Sequence, residues 1–310
     1  MPIRLLKLAG TFLATVWVST LLVFLFLRVM PGDPATVALG IDATDEQLAA
    51  WREANGTTAP LWEQYLSWVG KALGGDFGVS YVTQTPIGPV IAERAQVTVV
   101  LVALAMLLAL VIAVPLGTLA AMRHGKATGG AISGLSQIGV ALPSFLVGML
   151  LIMVFAINLR LLPSGGWQWG PEFGRYATLP VIALATVQAS ILTRYVRSAV
   201  LEIQREDFLR TARAKGLTAN SALVRHGLKN AAVPVLTVVG VQLAGLLIGA
   251  VVVERVFAIP GLGSYLVDAV GNRDLLAVQG VVLLLVLAVI LINFLVDVAY
   301  TSIDPRLRRA

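Results

Sequence analysis

Residues 97–122 read VTVVLVALAMLLALVIAVPLGTLAAM, 26 positions without one charged side chain. At about 1.5 Å of rise per residue, a helix of that length crosses a bilayer core of ~30 Å. Five more stretches share the property: 8–27, 127–159, 176–193, 230–253 and 275–296. In hydrocarbon every backbone N–H and C=O must be bonded within its own segment, so all six are predicted to be helices. Six such runs, a mean hydropathy of +0.85 and only 13% charged residues describe an all-α membrane protein and exclude a soluble globular chain.

The charges between the runs set an orientation. With the N-terminus in the cytoplasm and the spans alternating, 15 of the 23 Lys and Arg fall inside and 8 outside. Of the 17 acidic residues, 12 fall outside and 4 inside, with Asp297 near the inner end of the last span. Positive charge is retained on the cytoplasmic side, so both termini are expected there. The net charge of +6 thus has a topogenic cause and does not point to nucleic acid. Arg4 and Lys7 precede the first run, which is longer than a typical signal-peptide core and is expected to stay as an uncleaved span. The absence of cysteine excludes disulfides and thiolate chemistry, and two histidines argue against a His-rich metal site.

Three parts follow: the N-terminus and first span (1–30), an extracytoplasmic loop (31–96) and a core of five spans (97–310). In the loop, Thr44-Asp45-Glu46 can cap a short helix, and 61–73 reads as an amphipathic one. Gly74, Gly75, Gly78, Pro86, Gly88 and Pro89 mark turns, and 77–92 is too polar and proline-rich for a seventh span. Asn55-Gly56-Thr57 fits a glycan acceptor, a tripeptide common by chance. Pro143 should kink the long third run, and Trp167 and Trp169 suit a membrane–water interface. Gly245 and Gly249, four apart in the fifth span, are expected at a close helix contact.

The longest inside loop, 194–229, carries eight of the basic residues. Glu206 and Asp207 suit the positive end of a helix dipole. Phe208, Leu209 and Ala212 give that helix an apolar side, Arg210, Arg213 and Lys215 a charged one, and Gly216 a left-handed stop. Thr218 can cap a second helix through Leu228. Two short helices joined at a glycine are either an amphipathic surface lying on the membrane or a docking element for a cytoplasmic partner.

Arg210-Thr211-Ala212-Arg213-Ala214-Lys215-Gly216-Leu217 resembles the cytoplasmic loop of dipeptide/oligopeptide/nickel-type ABC transporter permeases. So do Met30-Pro31-Gly32-Asp33-Pro34, Gly75-Asp76-Phe77-Gly78-Val79-Ser80, Ala141-Leu142-Pro143-Ser144-Phe145 and Asp304-Pro305-Arg306, in this order around the spans. The loop departs from the broader importer motif: Arg210 stands where that motif has a glutamate, and only Leu228 survives of its distal end. The resemblance implies six transmembrane helices in the type I ABC importer permease fold, in a bacterial inner membrane. It implies a second homologous permease, two ATPase subunits using ATP and Mg, and an extracytoplasmic substrate-binding protein. It also implies an ATPase-coupling role for Asp207, Phe208, Arg210, Ala212, Arg213, Lys215 and Gly216, and import of di- or oligopeptides, with nickel complexes, glutathione or another small solute as alternatives. Phe208 and Ala212, four apart, share a helix face and are the expected anchor.

No G-x-x-x-x-G-K-[ST] phosphate loop occurs, so the chain is expected to be a transport subunit without an ATPase site or cofactor of its own. No Asp, Glu, Lys or Arg stands at the middle of a run, which counts against an ion-coupled carrier. Mild polar residues remain in the spans; Gln188, Ser190, Gln242 and Asn293 can line a pathway or bond across helices.

Overall fold

Helices account for nearly all of the computed structural model, which describes residues 2–29, 33–40 and 42–303. Among the described residues, five helical stretches are long and apolar enough to cross a membrane: Leu6–Leu25, Ile87–Met122, Phe173–Ile203, Pro234–Val256 and Leu275–Val298. They belong to α1 (Pro2–Val29), α5 (Ile87–Met122), α8 (Phe173–Ile203), α11 (Leu228–Val256) and α13 (Leu275–Ile303). Between α1 and α5 lie α2 (Pro34–Leu39), α3 (Asp45–Ala54) and α4 (Leu61–Leu73). The motif residues Met30, Pro31 and Gly32, and Asp304, Pro305 and Arg306, lie outside the described residues.

The third apolar run is a bent pair. α6 (Ala127–Ala141) and α7 (Ser144–Leu151), the latter continued by a π-helical stretch Ile152–Asn158, meet at 96°. Pro143 has no N–H to donate, and its ring pushes the preceding residue out of the helical region. Leu142 accordingly sits at φ −86°, ψ 125°. The kink expected at Pro143 is a sharp break, whereas Pro115, Pro180 and Pro234 lie inside continuous helices.

The second span starts earlier than its charge-free run. Glu93 and Arg94 end that run but not the helix, because Ile87 and Ile91, four apart, are buried and hold the first turns of α5 in place. α5 therefore begins at Ile87, inside the segment 31–96 expected to be loop.

By its internal contacts the chain falls into two units. One comprises Met1–Leu5, Thr98–Ile259 and Ile292–Ala310. Its centre is α8, whose buried residues recur from Ala177 to Val200 and pack against α6, α7 and α11. A Cβ on Gly117 would lie 2.7 Å from Val196 Cβ, and Gly139 lies directly against the Ser190 side chain, so both backbones approach α8 as only glycine permits. Gly245 and Gly249 do not mark the tight contact expected of them. A Cβ on either would meet only one atom, at 3.8 Å, because Gly245 is exposed; the close approach on α11 is Gly240 against Val296.

The other unit comprises Leu6–Val97 and Pro260–Leu291, including α12 (Leu262–Gly271). Asp33 caps α2 by accepting from Ala35 N at 3.1 Å, and Arg52 of α3 donates to Asp33 Oδ2 at 2.5 Å. The Arg52 hydrogen bond holds the Asp33 carboxyl below the usual carboxylate range. Thr44 and Gln47 form the reciprocal capping box of α3. Tyr65 of α4 bonds Thr20 at 2.8 Å and meets the Phe24 ring edge-on at 5.5 Å, fixing α4 to α1. The Gly75–Ser80 motif is a turn: Gly75 and Gly78 have φ +78° and +84°, and Asp76 Oδ1 accepts from Gly78 N. Its last residue, Ser80, donates to the buried Asp274 just before α13.

A Cβ on Gly88 would stand 2.5 Å from the Gly75 carbonyl oxygen, a backbone atom that cannot swing away. Gly88→Ala is expected to cost about 1–3 kcal/mol, read as a lowered melting temperature in detergent. An unchanged melting temperature would contradict the close approach.

Candidate functional site

α9 (Asp207–Ala214) follows α8 after a short turn. Asp207 occupies its first turn, as the dipole favours. Its C-terminus closes in a Schellman arrangement: Gly216 N donates to Arg213 O at 3.0 Å and Leu217 N to Ala212 O at 3.3 Å. That geometry needs a left-handed residue, and Gly216 supplies it with φ +95°. A Cβ there would meet nothing within 4 Å, so the requirement for glycine is conformational, not steric.

Thr218 then accepts from Ser221 N at 3.3 Å and caps α10 (Ala219–Ala222). The second helix does not end at Leu228 as the sequence suggested. It passes through a π-helical stretch, Leu223–Gly227, and continues without interruption as α11. Gly227 is buried at this passage, where a Cβ would crowd Leu223 Cδ1 at 2.7 Å.

An apolar plug holds the loop. Leu209, 3% exposed, packs with Val196, Ala199 and Val200 of α8 and with Ala222, Leu223 and Ala231. Ala212 and Leu217 pack against the same cluster. Within the chain α9 is anchored by Leu209, with Ala212 beside it. Phe208 faces outward, as do Arg210, Arg213 and Lys215. The Asp207–Arg210 pair is 3.5 Å apart with side chains 93% and 77% exposed, so it contributes little. α9 thus presents an aromatic ring and three cations outward over a face that is already satisfied.

The four candidate pathway residues lie in different settings. Gln188 is buried, and its Oε1 has no hydrogen-bond partner among the described residues. Ser190 donates to Thr186 O at 2.9 Å and rests against Gly139, so its hydroxyl is committed locally. Gln242 is half-buried and Asn293 exposed. Glu254 escaped the sequence reading, which counted it among outside charges. It is fully buried in the last turn of α11, where Thr98 Oγ1 donates to its Oε1 at 2.6 Å. The signal was its place directly after an uncharged run of 24 residues. Periodicity alone does not tell a solvated flanking charge from a packed one.

Residues 113–309 match the family described as binding-protein-dependent transport system inner membrane component, and residues 3–105 match its N-terminal companion. The chain belongs to this family. Like other members of this inner-membrane component family, it is the multi-pass permease subunit of a binding-protein-dependent importer, with no cofactor of its own, and the ATPase is a separate subunit. Among its relatives, the probable peptide ABC transporter permease protein y4tP of Sinorhizobium fredii is 38% identical over 99% of this chain and 100% of its own length. The glutathione transport system permease protein GsiC of Escherichia coli K12 is 37% identical over 95% of both chains. The inward-facing MetNI methionine ABC transporter shares the fold, with a TM-score of 0.59 over 69% of this chain and 96% of that chain at 19% identity.

Leu209→Ala is expected to cost about 2–5 kcal/mol of local stability through the cavity it leaves. Amide exchange across 207–217 should accelerate while α8 stays protected. Unchanged exchange in that segment would show that the plug does not hold α9.

Proposed function

We propose that this permease subunit imports short peptides by alternating access, and that α9 transmits the motion of the ATPase. The observation carrying the coupling assignment is the outward face of α9: Phe208, Arg210, Arg213 and Lys215 stand exposed on a helix whose inner face is sealed by Leu209. A partner gripping that face moves α8 through the plug, and α11 through the continuous α10–α11 rod. Such coupling requires the ATPase to bind one transport state more tightly than the other. Asp207, Ala212 and Gly216 shape and end the helix.

Six spans, with α6 and α7 as one broken span and both termini cytoplasmic, are the arrangement the charge pattern favours. The break itself supports a second permease. Ala141 and Pro143 are exposed in the single chain, and irregular backbone at membrane depth is tolerated only against protein or a water-filled path. A second permease copy or homologue, two ATPases using ATP and Mg, and an extracytoplasmic receptor complete the assembly. Gln188, with its unpaired amide oxygen, is the strongest pathway candidate of the four. A relative named for glutathione, a modified tripeptide, makes that compound the second substrate to try.

The assembly, isolated from its native membrane in mild detergent and reconstituted with its receptor, should take up labelled tripeptide only with ATP. Uptake without ATP, or a chain that always purifies alone, would overturn the reading. Gly216→Val forces a β-branched residue into the left-handed region at about 1–3 kcal/mol. It should lower uptake and ATPase co-purification while membrane insertion stays intact; full uptake would remove the coupling role from this turn.

A further inference from the structure

The C-terminal end of α5 packs on the C-terminal part of α8: Ala121 shares a buried cluster with Val196 and Val200, and Gly117 comes against Val196. This contact brings two polar side chains together. Arg197 Nη2 donates to His124 Nδ1 at 3.2 Å. A guanidinium has no acceptor, so Nδ1 must accept, and the proton of a neutral His124 ring then sits on Nε2. What the pair still offers is donors only.

The Arg197 charge is partly dry and unanswered. The residue is half-buried, and its Nε is buried with no hydrogen-bond partner among the described residues. A cation shielded from water on one side attracts an anion more strongly than a fully solvated one. Arg123 and Lys126, both exposed, flank His124 in a tight turn closed by Lys126 N donating to Arg123 O at 3.0 Å. None of these three cations forms an ion pair among the described residues. An apolar track leads up to them. Leu116 and Leu119, seven and four residues before Arg123, are exposed on the same face of α5.

We propose that this end of α5 and α8 binds an anionic phospholipid of the inner leaflet. Arg197, Arg123 and Lys126 meet its phosphate and glycerol headgroup, His124 donates through Nε2, and Leu116 and Leu119 lie along an acyl chain. The inner-leaflet placement rests on the orientation proposed above. A guanidinium matches a phosphate with paired N–H donors, and basic pockets between spans on the cytoplasmic side suit anionic headgroups. A zwitterionic headgroup fits worse, because its ammonium would enter a group of unpaired cations. The apolar track separates a lipid from a soluble phosphate of the same chemistry.

The test is native mass spectrometry of the full chain in mild detergent, titrated with dioleoylphosphatidylglycerol or dioleoylphosphatidylcholine. Wild type should retain the anionic lipid about tenfold more tightly. Arg197→Gln should lose that preference, whereas Arg225→Gln, which removes an exposed cation of the loop 194–229, should keep it. Equal retention of both lipids by wild type, an undiminished preference in Arg197→Gln, or an equal loss in Arg225→Gln overturns the site. If Arg197→Gln fails to fold, Arg123→Gln combined with Lys126→Gln replaces it, with the same loss expected and the same overturning result. Displacement of the bound lipid by millimolar inorganic phosphate would assign the cations to a soluble anion instead. Orientation is scored separately with Asn220→Cys, the chain having no other cysteine. Labelling of intact cells by an impermeant maleimide would overturn the inner-leaflet placement, whereas the preference measured in detergent judges the site itself.

Discussion

A backbone amide in hydrocarbon has no water to bond, so each apolar stretch must satisfy its own N–H and C=O groups or be covered where it fails to. Most of this architecture follows from that constraint. It makes the long segments helical, and it gives weight to the few places where helical bonding stops. At Leu142–Pro143 the chain turns through 96°. At Leu223–Gly227 the helix widens to a π turn but does not break. The first interrupts the helical bonding; the second keeps the loop helix and α11 one continuous piece.

The two buried carboxylates extend the same logic. Thr98 donates to Glu254 at 2.6 Å, and Ser80 donates to Asp274. A buried charge without partners would be expensive, so each carboxylate ties elements far apart in sequence: α5 to the end of α11, and the Gly75–Ser80 turn to the start of α13. The Gly75–Ser80 motif therefore has a structural use, because its two left-handed glycines place Ser80 against Asp274. In the loop 194–229 the division of labour is similar: Leu209 stabilises, while Phe208 and the cations face outward.

Much of this was legible before any coordinates. The spans announced themselves by length and charge. Thr44, Gly216 and Thr218 act as their residue types suggest, since caps and left-handed stops depend on a few neighbouring atoms. The errors have a common cause. The start of α5 at Ile87, the anchoring by Leu209 and the burial of Glu254 depend on what lies opposite in space, and Gly245 and Gly249 looked like a packing seam only because spacing says nothing of a neighbour.

Sequence alone determined the membrane class, the positions of the apolar spans and the local chemistry of the loop, because hydrophobic length, net charge and capping are short-range properties. Tertiary structure decided the rest. It set the angle at Pro143, chose which face of α9 is sealed, and buried Glu254 against Thr98. Those outcomes depend on long-range contacts such as Ser80 with Asp274, 194 residues apart, which no local pattern encodes.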